Sequence, residues 1–521
     1  MAWIDAMDAA ELAAKGRALA RIGGRQIALF KTPRGIFACN NRCPHEGYPL
    51  MQGTLTQDCV LTCNWHNWKF DLDSGETLVG GDALRRYPVR KRRGRIEVDV
   101  VDPLAEEVQA RALDSLDEAL ADFDYQRMAR EVARLEQAGG DGLEAVRRAI
   151  RWSHDRFEFG ITHAFAATAE WLRLRLRTKD PAERLAALVE SIAHMSDDAD
   201  RVRRYPFPRG NRRWNAALFA AAIEAEDEKT AVKLARSAAS LPGAVLLPVL
   251  ARAALAHYQD FGHSLIYAVK TMRLIDALGP DIAEPVLLAY VRGLIYASRE
   301  DLLPEFRDYP ARLAEWGRDG RKAPVLEPGA LIGRNARACM NTVVAWSAAH
   351  APEAIYGALL AAAARHLQAF DTRVERRTDG PVADNVGWLD FTHAITFGNA
   401  VRTVCAATPD LWPPALLQLA CFVGRNAGYL DHDLLGRSAT VDKPADFFDG
   451  AVRRLFDHGS GEFIISCHLV KTTLAAEVEA ASVPSAAPEL AAGIARFLAA
   501  PIKRRHSLRT AKQMLAFVAA E

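Results

Sequence analysis

Apolar and polar positions follow two different periods along this chain, and the change between them divides it. Between about residues 17 and 100 the runs ALARIGGRQIALFKT, GIFACN, CVLTC, WKFDLDSGETL and YPVRKRRGRIEVDV are short, rich in strand-forming residues and broken by Gly turns. They predict short antiparallel strands and hairpins. From Asp102 onward, segments such as LDSLDEALADFDYQRMAREVARLEQA and AVLLPVLARAALAHY carry Ala, Leu, Arg and Glu at helical spacing. Almost all of the remainder is therefore predicted α. Asp102-Pro103 is a natural break. The expected organisation is a multidomain chain: a small all-β domain over 1–105 and a large all-α domain of pseudo-repeated helical hairpins over 106–521.

One arrangement recurs inside the helical region. The stretches HDRFEFGITHAFAATAEWL, HYQDFGHSLIYAVKTMRL, DFTHAITFGNAVRTV and HGSGEFIISCHLVKTTLA each hold an acid followed by Phe, then a His that opens an apolar helix. The pairs are Glu158-Phe159, Asp260-Phe261, Asp390-Phe391 and Glu462-Phe463, and the histidines that follow are His163, His263, His393 and His468. His154, His257 and His458 precede three of these units, and His366 precedes the other across an insertion. After each break a second apolar helix follows, as in LGPDIAEPVLLAYVRGL, ATPDLWPPALLQLACFV and, less closely, RTKDPAERLAALVESIA. Spacings of 100, 130 and 75 residues from His163 to His468 are too irregular for a solenoid. They predict a closed bundle with pseudo-symmetry.

Composition removes some functions from consideration. With 521 residues, 50% of them hydrophobic, 25% charged and a net charge of +1, the chain reads as soluble and globular. That balance offers no electrostatic reason to expect nucleic acid or an anionic membrane as partner. No apolar run is long enough to span a bilayer, and the opening MAWIDAMDAAELAAKG lacks the regions of a signal peptide, so the expected location is cytoplasmic. Of eight cysteines, four (Cys39, Cys43, Cys59 and Cys63) fall within 25 residues, which suggests a metal site in place of a disulfide framework.

The segment CPHEGYPLMQGTLTQDCVLTCNWHNW places Cys43-x-His45 seventeen residues before Cys63-x-x-His66. This resembles the Rieske family over about residues 3 to 100. The resemblance implies a [2Fe–2S] cluster held by Cys43, His45, Cys63 and His66, two thiolates on one iron and two imidazoles on the other. A structural zinc site takes the same donors. The position of the loops between hairpins, with Pro44, Gly47 and Trp68, favours the cluster. Two departures matter. The family's His-Gly-Trp is His66-Asn67-Trp68 here, and Asn tolerates the left-handed φ better than most residues. Tyr48 and Trp65 hold the places where respiratory members carry a disulfide, and Cys39 and Cys59 read as free core thiols. The resemblance is thus to the ferredoxin and oxygenase type.

Such a cluster moves electrons, so it needs a donor, expected to be an NAD(P)H-linked reductase or a ferredoxin, and an acceptor. The family's oxygenases use an Asp-x-x-His-x(4)-His iron site, and no His-x(4)-His occurs in this chain. The expected acceptor is non-haem iron, mono- or dinuclear, in the helical domain, with His163, His263, His393 and His468 as ligands. His154, His257, His366 and His458 are candidates to complete or surround it. Glu158, Asp260, Asp390 and Glu462 are candidates to ligate iron or to accept the second imidazole N–H. The helical part also resembles, in the pattern of His at helix starts over roughly residues 150 to 500, the questin oxidase-like family, which implies an O2-dependent oxidation of a small organic substrate. Two alternatives stay open: a non-catalytic electron-transfer or redox-sensing protein whose helices form a partner-binding scaffold, and a hydrolytic metal site switched by the cluster.

Overall fold

The structure is a computed structural model that describes residues 3–318, 323–382, 385–437, 439–503 and 506–520. It divides into two compact units, Met1–Asp141 and Gly142–Glu521.

The β signals of the first unit become eleven strands: β1 (Trp3–Asp8), β2 (Arg17–Ile22), β3 (Arg25–Thr32), β4 (Gly35–Asn40), β5 (Thr54–Leu55), β6 (Val60–Thr62), β7 (Lys69–Asp71), β8 (Thr77–Val79), β9 (Arg86–Tyr87), β10 (Val89–Arg92) and β11 (Arg95–Asp99). They pair antiparallel in three sheets ordered β1-β11-β10, β2-β3-β4-β9 and β5-β6-β7-β8. The Gly-Gly turn closes the β2–β3 hairpin with Ile22 opposite Arg25, and Arg93-Gly94 closes β10–β11 with Arg92 opposite Arg95. Alternate residues of β3 face two cores. Ala28 and Phe30 pack with Cys39, Cys59, Leu61 and Phe70, while Ile27 and Leu29 pack with Tyr87, Ile96 and Val98.

The strands end at Asp99, close to the expected boundary, but the compact unit continues to Asp141. The helices Ala105–Asp122 and Tyr125–Gln137 pack on each other and belong to it. Asp124 caps the second helix, whose Arg130 and Arg134 both reach the Asp82 carboxylate, at 3.3 and 2.7 Å. The change of period near residue 105 marks a change of secondary structure, and these ion pairs tie the second helix to Asp82 within the same unit.

In the second unit four helices form a closed ring: His163–Arg175, His263–Leu278, Trp388–Ala407 and Phe463–Ser482, each packed on the next and the last on the first. Each turns back through an outer helix, respectively Pro181–Asp198, Ala283–Ile295, Trp412–Asn426 and Ala487–Ala499. Three of the four turns hold a single 3-10 turn at the same place, Pro280–Ile282, Pro409–Leu411 and Pro484–Ala486. This is the closed bundle of hairpins that the repeat predicts. Because each hairpin brings the chain back, the inner helices run parallel. Their N-terminal ends meet, and deeper partners pair in step, Glu170 with Lys270 and Arg402 with Glu479. Buried on all sides, the inner helices carry no single polar stripe, and their shared interior is unusually polar: Lys270, Thr271, Lys471, Thr472, Glu170 and Glu479 are all buried. No helix among the described residues is long and apolar enough to cross a membrane.

Burial alone would raise the Glu170 carboxyl, but Lys270, Arg273 and Arg173 outweigh it and hold it down to about 2, against an ordinary 4.5. A folded pKa below the unfolded one stabilises above pH 4.5 and loses that contribution as pH falls from there towards 2. Glu170→Gln should therefore cost about 3 kcal/mol at pH 7. The gap from the native chain should narrow steadily below pH 4.5, read by urea unfolding across that range.

Candidate metal centres

Two loops of the first unit are built alike. Cys43 N–H donates to the Tyr48 carbonyl at 2.9 Å and Gly47 N–H to the Cys43 carbonyl at 2.8 Å; Cys63 N–H donates to Trp68 at 2.8 Å and Asn67 N–H to Cys63 at 2.9 Å. Each loop closes through a left-handed residue four positions after its Cys, Gly47 at φ 79° and Asn67 at φ 61°. Asn67 therefore replaces Gly without changing the turn. The loops bring Cys43, Cys63, His45 and His66 together, with the two imidazole centroids 4.6 Å apart. Trp68 stacks on His45 at 4.6 Å, and Tyr48 stacks on Trp65 at 4.1 Å, so an aromatic pair joins the loops where a disulfide would. Cys39 and Cys59 are buried free thiols in the core behind them.

The donor set fits a [2Fe–2S] cluster. Burial, with Cys63 adjacent, pushes the Cys43 thiol up to about 11, so a thiolate there needs a neighbouring cation. Among the described residues His45 Nδ1 is buried without a hydrogen-bond partner, and it is free to ligate. Arg130, from the helix Tyr125–Gln137, donates to the His45 carbonyl at 3.1 Å, and Glu46 lies 3.9 and 3.7 Å from the Nε2 atoms of His45 and His66.

In the second unit the four repeated histidines converge at the N-terminal end of the inner ring. Nε2 of His263 lies 3.1 Å from that of His163 and 2.9 Å from that of His393, and Nε2 of His468 lies 3.4 Å from that of His393. Nδ1 of His263 faces the Asp260 carbonyl at 2.7 Å and Nδ1 of His468 faces the Ile464 carbonyl at 2.6 Å. A carbonyl only accepts, so both Nδ1 atoms carry the proton and both Nε2 atoms present bare lone pairs. Burial holds all four imidazoles below their ordinary 6.5, His263 at about 3, and Lys471 depresses each further. At neutral pH the set is uncharged. Ligands about 2.1 Å from one shared metal ion lie about 3.0 Å apart at right angles and about 3.4 Å apart at tetrahedral angles, the range of the three neighbouring pairs, and the ligand atoms of His163, His263 and His393 all lie within 4.8 Å of one another.

The other expected residues lie elsewhere. His154 bonds the Arg151 carbonyl at 2.9 Å, and His257 sits between Glu224 at 2.7 Å and Asp301 at 3.2 Å. His366 accepts from Gly333 N–H at 3.1 Å, and His458 pairs with Glu190 at 3.2 Å. Of the acids, Glu158 belongs to a separate cleft with Arg204 and Arg292, Asp390 caps its own helix through Gly387 N–H at 2.9 Å, and Glu462 is exposed. Asp260 is nearest, with Oδ2 3.9 Å from His263 Nδ1, but its backbone carbonyl makes the bond. The role expected of the acids, accepting the second imidazole N–H, falls to main chain for His263 and His468. A larger cleft of about 370 Å³ around His257, Glu224 and Arg299 shares no residue with the tetrad.

Three neighbours escaped the sequence reading. His194 is buried, pairs with Asp198 at 3.5 Å and stacks on Phe463 at 5.5 Å, and Asp198 in turn accepts from Thr162 and Ala164 at the head of the His163 helix. Lys471, the third, lies one turn beyond His468. Its signal was present as a shared motif, Val269-Lys270-Thr271, Val401-Arg402-Thr403 and Val470-Lys471-Thr472.

Residues 2–88 match the Rieske [2Fe-2S] domain family. The ferredoxin component of the alkene monooxygenase system of Xanthobacter autotrophicus is 30% identical over 90 residues, covering 17% of this chain and 73% of that protein. The 4beta-methylsterol monooxygenase of Methylococcus capsulatus is 36% identical, covering 16% of this chain and 26% of that protein. Among solved structures, the ferredoxin of carbazole 1,9a-dioxygenase from Nocardioides aromaticivorans is 19% identical with a TM-score of 0.18, covering 19% of this chain and 97% of its own.

Substitutions at two positions test these sites. Asn67→Gly should leave iron and labile sulfide in the first unit unchanged, whereas Asn67→Val, strained by roughly 1–3 kcal/mol at a left-handed φ, should lower them at least twofold. Asp260, Phe261 and Gly262 are three successive left-handed residues before His263, at φ 50°, 49° and 72°, and a Cβ on Gly262 would come 2.5 Å from Phe397. Gly262→Ala should cost about 1–3 kcal/mol in urea unfolding.

Proposed function

The chain belongs to the Rieske [2Fe–2S] family through its N-terminal unit, and from that premise we propose that it is an O2-dependent oxygenase whose cluster feeds electrons to a non-haem iron site at the histidine tetrad. The observation that carries this reading is the convergence of four copies of one sequence placement, with the ligand atoms of His163, His263 and His393 all within 4.8 Å of one another and His468 3.4 Å beyond His393. When bound, the cluster supplies single electrons and an iron ion at the tetrad supplies a centre for reducing O2 beside a small organic substrate.

The residues do the rest. Cys43 and Cys63 would hold one iron as thiolates and His45 and His66 the other, while Trp68 stacks on His45 and fixes its plane. In the helical unit, burial keeps the imidazoles neutral and therefore available as ligands. The carbonyls of Asp260 and Ile464 fix which nitrogen faces inward. Two electrons per turnover would come singly from an NAD(P)H-linked reductase or a ferredoxin. Membership of oxygenase systems among the relatives supports the reaction class. Because one relative is a ferredoxin component, a second reading stands beside this one: an electron-transfer or redox-sensing protein with a helical scaffold for a partner.

Metal analysis of anaerobically prepared chain separates them. The oxygenase reading expects at least three irons per chain, falling to about two in His263→Ala and His393→Ala while the EPR signal of the reduced cluster survives. Iron at about two in the native chain and in both variants would leave the scaffold reading standing.

A further inference from the structure

The Val-basic-Thr motif puts a basic group in the ring interior three times, and two of the three are paired. Lys270 meets Glu170, and Arg402 meets Glu479 at 2.7 Å, both acids being fully buried. Lys471 differs. It is 1% exposed, and among the described residues no carboxylate pairs with its Nζ, whose polar neighbour is the Cys467 thiol. From one turn beyond His468 its charge falls on all four imidazoles and on the Cys467 thiol.

The surroundings add positive potential. Four parallel helices begin at this end, each contributing the positive end of its dipole. The acids nearby are engaged: Asp198 with His194 and the head of the His163 helix, Glu190 with His458 at 3.2 Å and Ser466 at 3.4 Å. Asp260 stands at the outer nitrogen of His263, not among the Nε2 atoms. A divalent ion held by neutral imidazoles would add two charges of the same sign as Lys471. Buried charge without a counter-ion is strongly disfavoured, and an anion drawn from solution would offset it. His163 and His263 are partly exposed while His393 and His468 are buried, which gives that anion a side from which to enter.

We propose that the tetrad and Lys471 together form a site for an organic oxyanion, so that the substrate binds as a carboxylate or an ionised phenol or enol. This rests on the reading of the tetrad as a metal centre. Lys471 acts through its charge and need not touch the substrate.

The test uses the full chain as isolated with its metals, and the isosteric probes acetate and acetamide followed by calorimetric titration. The native chain should bind acetate at least tenfold more tightly than acetamide. Lys471→Gln should lose most of that preference and Lys471→Arg keep it, with metal content unchanged in both. Equal binding of the two probes by the native chain, or a preference intact in Lys471→Gln, would overturn the inference while leaving the metal centre in place. A native chain with no metal beyond the cluster would overturn both. Should Lys471→Gln fail to fold, the comparison of probes on the native chain decides alone.

Discussion

Four buried imidazoles linked in a chain, His163 to His263 to His393 to His468 with neighbouring Nε2 atoms 2.9–3.4 Å apart, are the constraint on which the helical unit depends. Nitrogens at that distance share either a proton or a cation, and either way the surrounding structure has to bring them together. It does so by closing a ring of four parallel helices, each anchored by its own returning outer helix. The repeat unit is a hairpin because a parallel ring needs every strand of chain to be brought back outside it. The left-handed run at Asp260, Phe261 and Gly262 belongs to the same constraint. It turns the chain so sharply that the Asp260 carbonyl meets the Nδ1 of a histidine only three residues on, with Glu300 accepting the Phe261 N–H at 3.0 Å and Arg425 lying 3.9 Å over the Phe261 ring.

The polar interior below the tetrad follows from the same geometry. Inner helices surrounded by others have no solvent side, so their basic groups must find partners inside. Glu170 and Glu479 each gather more than one: Lys270, Arg273 and Arg173 around the first, Arg402, Asn399 and Tyr356 around the second. Such networks are satisfied only as a whole, which ties the register of neighbouring helices to one another. Lys471 is the member left outside them, and it is the one nearest the imidazoles.

The first unit solves a different problem, presenting two Cys and two His side chains together from two short loops. Each loop is closed by its own backbone, with Gly47 and Asn67 in equivalent left-handed positions. The Tyr48–Trp65 stack joins the loops without a covalent bond. The helix Tyr125–Gln137 adds a cationic contact at the His45 carbonyl, so the ligand loop is supported from a segment 85 residues downstream.

The sequence by itself determined the features carried by residues close together in the chain. Cys43-x-His45 and Cys63-x-x-His66 name their ligands because a short loop leaves each side chain few places to go. His163, His263, His393 and His468 were legible because one local placement recurs four times, and recurrence survives irregular spacing. Tertiary structure alone decided the rest. Whether Asp390 meets a metal or caps its own helix depends on the direction of one side chain within a helical turn, and it caps. That the first unit continues past residue 105 to Asp141 goes with Asp82 meeting Arg130 and Arg134, and whether Lys471 has a carboxylate partner depends on which acids the neighbouring helices bring level with it. These are distances between residues far apart in the chain, fixed by packing, and no local pattern encodes them.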